Sequence, residues 1–300
     1  MKSLIPLLLL LCLSAPAMSQ EKSLVHKDVK RKYIVYTPAG YDSRPQQQLP
    51  VVINYHGGGM TMREQMLYTQ MNRTADRENF IVVYPQGIKQ DWNVGYGMDY
   101  KEGSDDIGFT EAMLAKLRQD YRVDPKRVYA TGLSRGGFFS LRVAAELPQL
   151  FAAVASVGAL MPRPVVAHHA KPAPVGVMLM QGTADKLVNY DGTRDEGKGD
   201  GYLSAAESYH YWLKNNAIAG AAAAPKTLDR DKDDGTAATH LEQGTGAANV
   251  ALVTIKDGGH TWAGADAFNI GLPLGKTSRD IDANTVIWEF LSKHRHHAAR

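Results

Sequence analysis

The chain is expected to fold as an α/β protein around a mainly parallel central sheet with helices on both faces. Two patterns carry that expectation. Short β-branched runs such as Val51-Val52-Ile53-Asn54-Tyr55 are apolar at nearly every position, as suits strands covered on both sides. Segments of helical period stand between these runs, and such alternation implies parallel strands joined by crossover helices.

In chain order, strands are expected at Tyr33–Tyr36, Val51–Tyr55, Phe80–Tyr84, Val128–Thr131, Ala152–Ser156, Val175–Met180 and Val250–Ile255. Helices are expected at Ile107–Tyr121, Gly136–Leu147, Leu203–Lys214 and Asp280–Lys293. The first of these repeats apolar residues at Ile107, Met113, Leu114, Leu117 and Tyr121, with Asp106 read as its N-cap. The last forms its stripe from Ile281, Val286, Ile287, Phe290 and Leu291. The Ala-, Gly- and Asp-rich stretch 217–249 reads as a surface excursion, and 294–300, with His294, His296 and His297, as a polar tail. No internal repeat or interdomain linker is evident, so one domain is expected.

The start of the chain has a different character. Met1-Lys2, an apolar run from Leu4 to Leu13 and the small residues before Gln20 read as a cleavable secretory signal, residues 1–19. Its apolar run is well short of the roughly twenty residues a membrane span needs. The only cysteine, Cys12, lies inside it and follows Leu11, where a lipid anchor needs a small residue. A secreted or periplasmic protein of residues 20–300, free of disulfides, follows. The formal net charge of +3 among 300 residues gives no reason to expect a nucleic acid or an anionic membrane as partner.

The chemistry is signalled by Gly132-Leu133-Ser134-Arg135-Gly136, which follows one expected strand and opens a helix. That is the nucleophile elbow of the α/β-hydrolase fold: glycines make room for a strained turn that exposes the serine hydroxyl. A serine hydroxyl needs a base, and in this fold the acid and then the histidine follow the serine, each after a strand. Asp185 comes after Val175–Met180 and His260 after Val250–Ile255. Asp185 is expected to orient the imidazole and His260 to carry the proton. Asp191 and Asp195 are rivals for the acid. His168, His169, His210 and His240 are weaker candidates for the base, since His168, His169 and His210 follow no strand and His240 lies in the polar excursion.

One oxyanion donor is expected from the Arg135 amide. A second should come from the glycine-rich loop His56-Gly57-Gly58-Gly59, through Gly57 or Gly58, with His56 itself structural. Trp92, Trp262 and Tyr190 fall on loops at the same sheet edge and are candidates for an acyl pocket. The run from Asp229 to His240 has the look of a calcium loop, but Asp234 and His240 stand where Gly and a bidentate Glu belong. No metal site is expected.

Several motifs together resemble the secreted polyhydroxybutyrate depolymerase and feruloyl/acetylxylan esterase family. They are Tyr55–Gly59, Tyr84-Pro85-Gln86-Gly87, Asp91-Trp92-Asn93, Asp105–Phe109, the elbow, Gly182–Asp185 and Gly258-Gly259-His260-Thr261-Trp262. Their order covers most of residues 29–292. Trp262-Ala263-Gly264 departs from the Trp-Pro-Gly usual there, and the cysteines that many relatives carry near the site are missing. The resemblance implies the same triad, Ser134, Asp185 and His260.

The sequence thus points to a serine esterase that works through an acyl-enzyme without metal or organic cofactor, on a small-molecule or polymeric ester. Hydroxycinnamoyl esters of plant polysaccharide come first, because no further domain remains for adsorbing to a solid polymer. Hydroxyalkanoate oligomers and acetylated xylan are the alternatives. An acyltransferase, or a binding protein that kept the fold, would be a different class of molecule.

Overall fold

The structure is a computed structural model that describes residues 18–169, 173–193, 201–220, 224–244, 246, 248–268 and 271–296. Its strands in chain order are Met18–His26 (β1), Val29–Thr37 (β2), Leu49–Tyr55 (β3), Ile81–Pro85 (β4) and Val123–Leu133 (β5). Ala153–Val157 (β6), Gly176–Gly182 (β7), Lys226–Leu228 (β8), Ala237–Gln243 (β9) and Val250–Lys256 (β10) complete the set. All ten lie in one sheet, in the order β1-β2-β4-β3-β5-β6-β7-β10-β9-β8. The six central strands, β4 to β10 in that order, run parallel; both edges are antiparallel.

The helices are Met62–Thr69 (α1), Met71–Glu78 (α2), Asp106–Asp120 (α3), Arg135–Glu146 (α4), Arg163–His168 (α5), Ala205–Asn215 (α6) and Ala283–Leu291 (α7). They cover both faces of the sheet, and strand side chains alternate between the two cores as the pleat requires. Val51, Ile53 and Tyr55 join Phe109, Phe139 and Trp212 from α3, α4 and α6 on one face. Val52, Met178 and Val253 meet Tyr68, Ala75 and Ile287 from α1, α2 and α7 on the other.

The strands expected from apolar runs are all present, most shifted by a residue or two at their ends, while β2 begins four residues and β5 five residues before the expected starts. Three strands carry no such signal. Strand β1 is an edge strand whose residues alternate between exposed and half-buried, joined to β2 through Lys27 and Asp28, both at positive φ (47° and 62°), the geometry of a tight hairpin turn. Strands β8 and β9 lie inside the stretch read as a surface excursion. There β9 pairs with β10 from Gln243↔Val250 to Ala237↔Lys256, so this segment widens the sheet.

Two local readings are corrected. The N-cap of α3 is Asp105, whose carboxylate accepts from the Gly108 amide at 3.0 Å. Asp106 is instead the first helical residue and is buried. It accepts from Arg31 Nη2 (2.7 Å), the Asn93 amide (2.8 Å) and Ser104 Oγ (2.6 Å). His294 is not part of a frayed tail. Its ring is buried against Phe290, and its carbonyl accepts from the Tyr129 hydroxyl at 2.7 Å. His297 and the rest of the tail, like the expected signal up to Ala17, lie outside the described residues. Among the described residues no helix is long and apolar enough to cross a membrane.

Candidate active site

Parallel strands all end at one edge of the sheet, so the loops that follow β3, β5, β7 and β10 converge there. These are the loops that carry His56–Gly59, Ser134, Asp185 and His260. Ser134 sits between β5 and α4 at φ 54°, ψ −120°, a conformation that costs an L-residue about 1–3 kcal/mol. The surroundings enforce it. The Ser134 amide donates to Val157 O at 2.8 Å, and its carbonyl receives Phe138 N at 2.9 Å, starting the helix. Gly132 and Gly136 are required because a Cβ on Gly132 would lie 2.7 Å from Tyr55 O, and one on Gly136 would collide with the same carbonyl.

Asp185 and His260 form a buried pair. His260 Nδ1 lies 2.7 Å from Asp185 Oδ2, and both residues are 3% exposed. A carboxylate only accepts, so Nδ1 carries the proton and Nε2 is left as the basic nitrogen. Asp185 is held by its own loop: Oδ1 accepts from the amides of Leu187 (2.9 Å) and Val188 (2.8 Å), and Oδ2 from Gln181 Nε2 (3.0 Å). Gly158, at φ +60°, lets the backbone after β6 pass beside the imidazole, where an added Cβ would stand 3.1 Å from Nδ1. Of the rival acids, Asp191 makes no bond to His260, and Asp195 lies outside the described residues.

Ser134 and His260 line one small cavity of about 70 Å³ together with Gly57 and Gly58. Among the described residues no hydrogen bond joins the Ser134 hydroxyl to the His260 imidazole; such contacts commonly tighten only when substrate binds. The remaining walls are apolar: Met60, Leu133, Leu187, Phe268, Leu272 and Leu274, with Tyr68 stacked on Phe268 at 4.7 Å between ring centroids.

The three aromatic residues expected in an acyl pocket are placed elsewhere. Trp92 is fully buried, packed on Tyr55, His56 and Phe139, with its indole N–H donating to His56 O at 2.9 Å. Trp262 is buried with its N–H on Asn284 Oδ1, and Tyr190 bonds Thr254 through its hydroxyl. Nearness in sequence to a catalytic loop put these rings at the functional edge; burial of their large apolar surface turned them inward. Tyr68 and Phe268, which do line the cavity, stand outside every motif, and no sequence pattern marked them.

Arg135 has a second task besides its amide. Its guanidinium grips Asp91 through Nε (2.6 Å) and Nη2 (3.1 Å) and donates to the carbonyls of Trp92 (2.8 Å) and Tyr96 (3.1 Å). The elbow is thereby tied to the Asp91–Asn93 loop. Its amide opens α4, where helical geometry leaves the first N–H groups without intrahelical partners.

A mostly parallel sheet flanked by helices, with a serine elbow and an Asp–His pair at the strand ends, defines the α/β-hydrolase class. The profile of the family described as "Putative esterase" matches residues 27–254. The chain belongs to this esterase family, and hydrolysis of carboxylic esters is its activity class. It is 28% identical over 295 residues to "Putative esterase NocK" of Nocardia uniformis subsp. tsuyamanensis, covering 92% of this chain and 83% of that one. It is 30% identical over 239 residues to "Feruloyl esterase B" of Piromyces equi, covering 77% of this chain and only 42% of that longer protein. Among solved structures, an acetyl xylan esterase from Aspergillus awamori superposes with a TM-score of 0.60 over 91% of this chain and 99% of its own. At 14% identity that likeness speaks for the fold alone.

Proposed function

We propose that Ser134, His260 and Asp185 carry out ester hydrolysis in two steps. His260 Nε2 takes the Ser134 proton as Oγ attacks the acyl carbon, then passes it to the departing alcohol. Water, activated by the same nitrogen, next cleaves the acyl-enzyme and releases the acid. Asp185 steadies the imidazolium formed in each step, and the Arg135 amide with the glycine loop receives the developing oxyanion. The observation that carries this reading is the buried His260–Asp185 bond of 2.7 Å at a cavity shared with a strained serine. The amino-terminal segment serves as an export signal in the same proposal. Cleavage after Ser19 trims two residues from β1 and leaves its pairing with β2 intact from Gln20 onward.

For the acyl half we propose an apolar group, hydroxycinnamoyl first, because the cavity is walled by apolar side chains and includes the two aromatic residues Tyr68 and Phe268. One good aromatic contact contributes roughly 0.5–1.5 kcal/mol beyond burial, and a tenfold preference needs about 1.4 kcal/mol. Short acyl groups of acetyl or hydroxybutyryl size are the second reading, favoured by the cavity's 70 Å³. The kcat/KM for methyl ferulate should exceed that for a hydroxybutyrate trimer at least about tenfold, with Phe268→Ala narrowing the gap. A better rate on the trimer, slowed by Phe268→Ala to the same degree as methyl ferulate, would assign the site to short aliphatic acids.

A further inference from the structure

The amide that completes the oxyanion hole can be chosen from the hydrogen bonds around His56, which the catalytic steps do not use. We infer that Gly58, and not Gly57, supplies the second oxyanion N–H, and that a neutral His56 is the positioning residue that aims it. The inference rests on the serine-esterase reading above and adds to it the orientation of one peptide unit.

The tautomer of His56 is fixed by its neighbours. Its Nε2 receives the Gly87 amide at 2.9 Å, and a backbone N–H can only donate, so Nε2 is an acceptor without a proton. Gln86 Nε2 stands 3.0 Å from the same nitrogen, while Gln86 Oε1 accepts from the Met62 amide. The ring proton therefore sits on Nδ1, which donates to Gly57 O at 2.8 Å. That carbonyl also receives the Met60 amide at 3.1 Å, so two donors pin it. Among the described residues every peptide bond is trans, and a trans peptide points its C=O and N–H in opposite directions. With Gly57 C=O turned onto the buried imidazole, Gly58 N–H is turned away from it, on the side where both glycines line the cavity of Ser134 and His260.

The other glycines fit the role less well. The Gly59 amide is already spent on Gln90 O at 2.9 Å. Gly57 is buried against Met60, whereas Gly58 is exposed. Gly58 also abuts the residue that gives the first donor, since a Cβ there would lie 2.8 Å from Arg135 Cγ. The Gly58 backbone thus passes directly beside the side chain of the residue that gives the first donor. Burial, the largest influence on the imidazole, lowers its pKa to about 4 and keeps the required neutral form at ordinary pH. The Tyr84–Gly87 and Asp91–Asn93 motifs also gain a role. Gln86 and Gly87 hold one end of His56, and Trp92 Nε1 holds its carbonyl.

The direct test removes single amide protons by replacing Gly58, or separately Gly57, with glycolic acid in the full chain, turning that amide into an ester. Loss of the Gly58 N–H should lower kcat on p-nitrophenyl butyrate by on the order of 10²–10³-fold with KM little changed, as for a lost oxyanion donor. The Gly57 change should cost far less. An equal or larger loss at Gly57, or no loss at Gly58, overturns the assignment while leaving the Ser134 chemistry untouched. For His56, Phe removes the Nδ1 donor, whereas Asn keeps an amide N–H able to reach Gly57 O. His56→Phe should lose kcat and affinity for a boronic-acid analogue, and Asn should restore part of both. If Phe and Asn lower melting temperature alike and both keep wild-type kcat, His56 is only a packing residue.

Discussion

Ser134→Ala is expected to keep the fold and lower kcat by on the order of 10⁴–10⁶-fold, leaving only substrate binding and the oxyanion amides. The backbone strain at φ 54° is the same for Ala as for Ser, and Ser134 Oγ makes no hydrogen bond among the described residues, so little stability should change. Rates on p-nitrophenyl butyrate, with circular dichroism and a melting curve on the same sample, decide the matter. A folded Ser134→Ala protein that keeps a tenth of the wild-type turnover refutes the nucleophile.

The largest effect on stability is expected at a residue outside the proposed triad. Asp106→Asn should destabilise the protein by about 3–5 kcal/mol, because it leaves Arg31 as a buried, uncompensated charge. Arg31 is 3% exposed and lies over the Phe109 ring, where water cannot replace the lost carboxylate. The new amide group would also face the Asn93 N–H or Ser104 hydroxyl donor. Asp105→Asn, at the half-exposed cap, should cost about 1 kcal/mol or less, since Asn caps nearly as well as Asp. Denaturant titrations of both variants test the contrast. Equal losses would mean that the cap and the buried ion pair contribute alike.

These two aspartates show where sequence reasoning stopped. Local rules located the elbow, the parallel strands and the order of serine, aspartate and histidine, because each rests on periodicity or on a turn that only glycine permits. They placed a cap at Asp106 because a cap is a local pattern. Burial of Asp106 depends on Arg31, which is distant in sequence, and no local pattern encodes that. Trp92 and Trp262 illustrate the same limit: a ring on a functional loop can face either way, and core packing decides. Strand β9, Ala-Ala-Thr-His-Leu-Glu-Gln, was hidden because a strand next to the sheet edge and half-open to water along its length needs no apolar run. The cavity walls Phe268, Leu272 and Leu274 lie between β10 and α7, outside any regular element, and are placed by tertiary contacts, among them His260 N to Leu274 O.

The central claim is that Ser134 is the nucleophile activated by His260. Labelling the intact protein with a fluorophosphonate and mapping the adduct by peptide mass spectrometry tests it most directly. One adduct is predicted, on the peptide bearing Ser134, and its formation should slow sharply in His260→Ala. An adduct on a different serine, or full ester hydrolysis by protein that takes no label, would contradict the account.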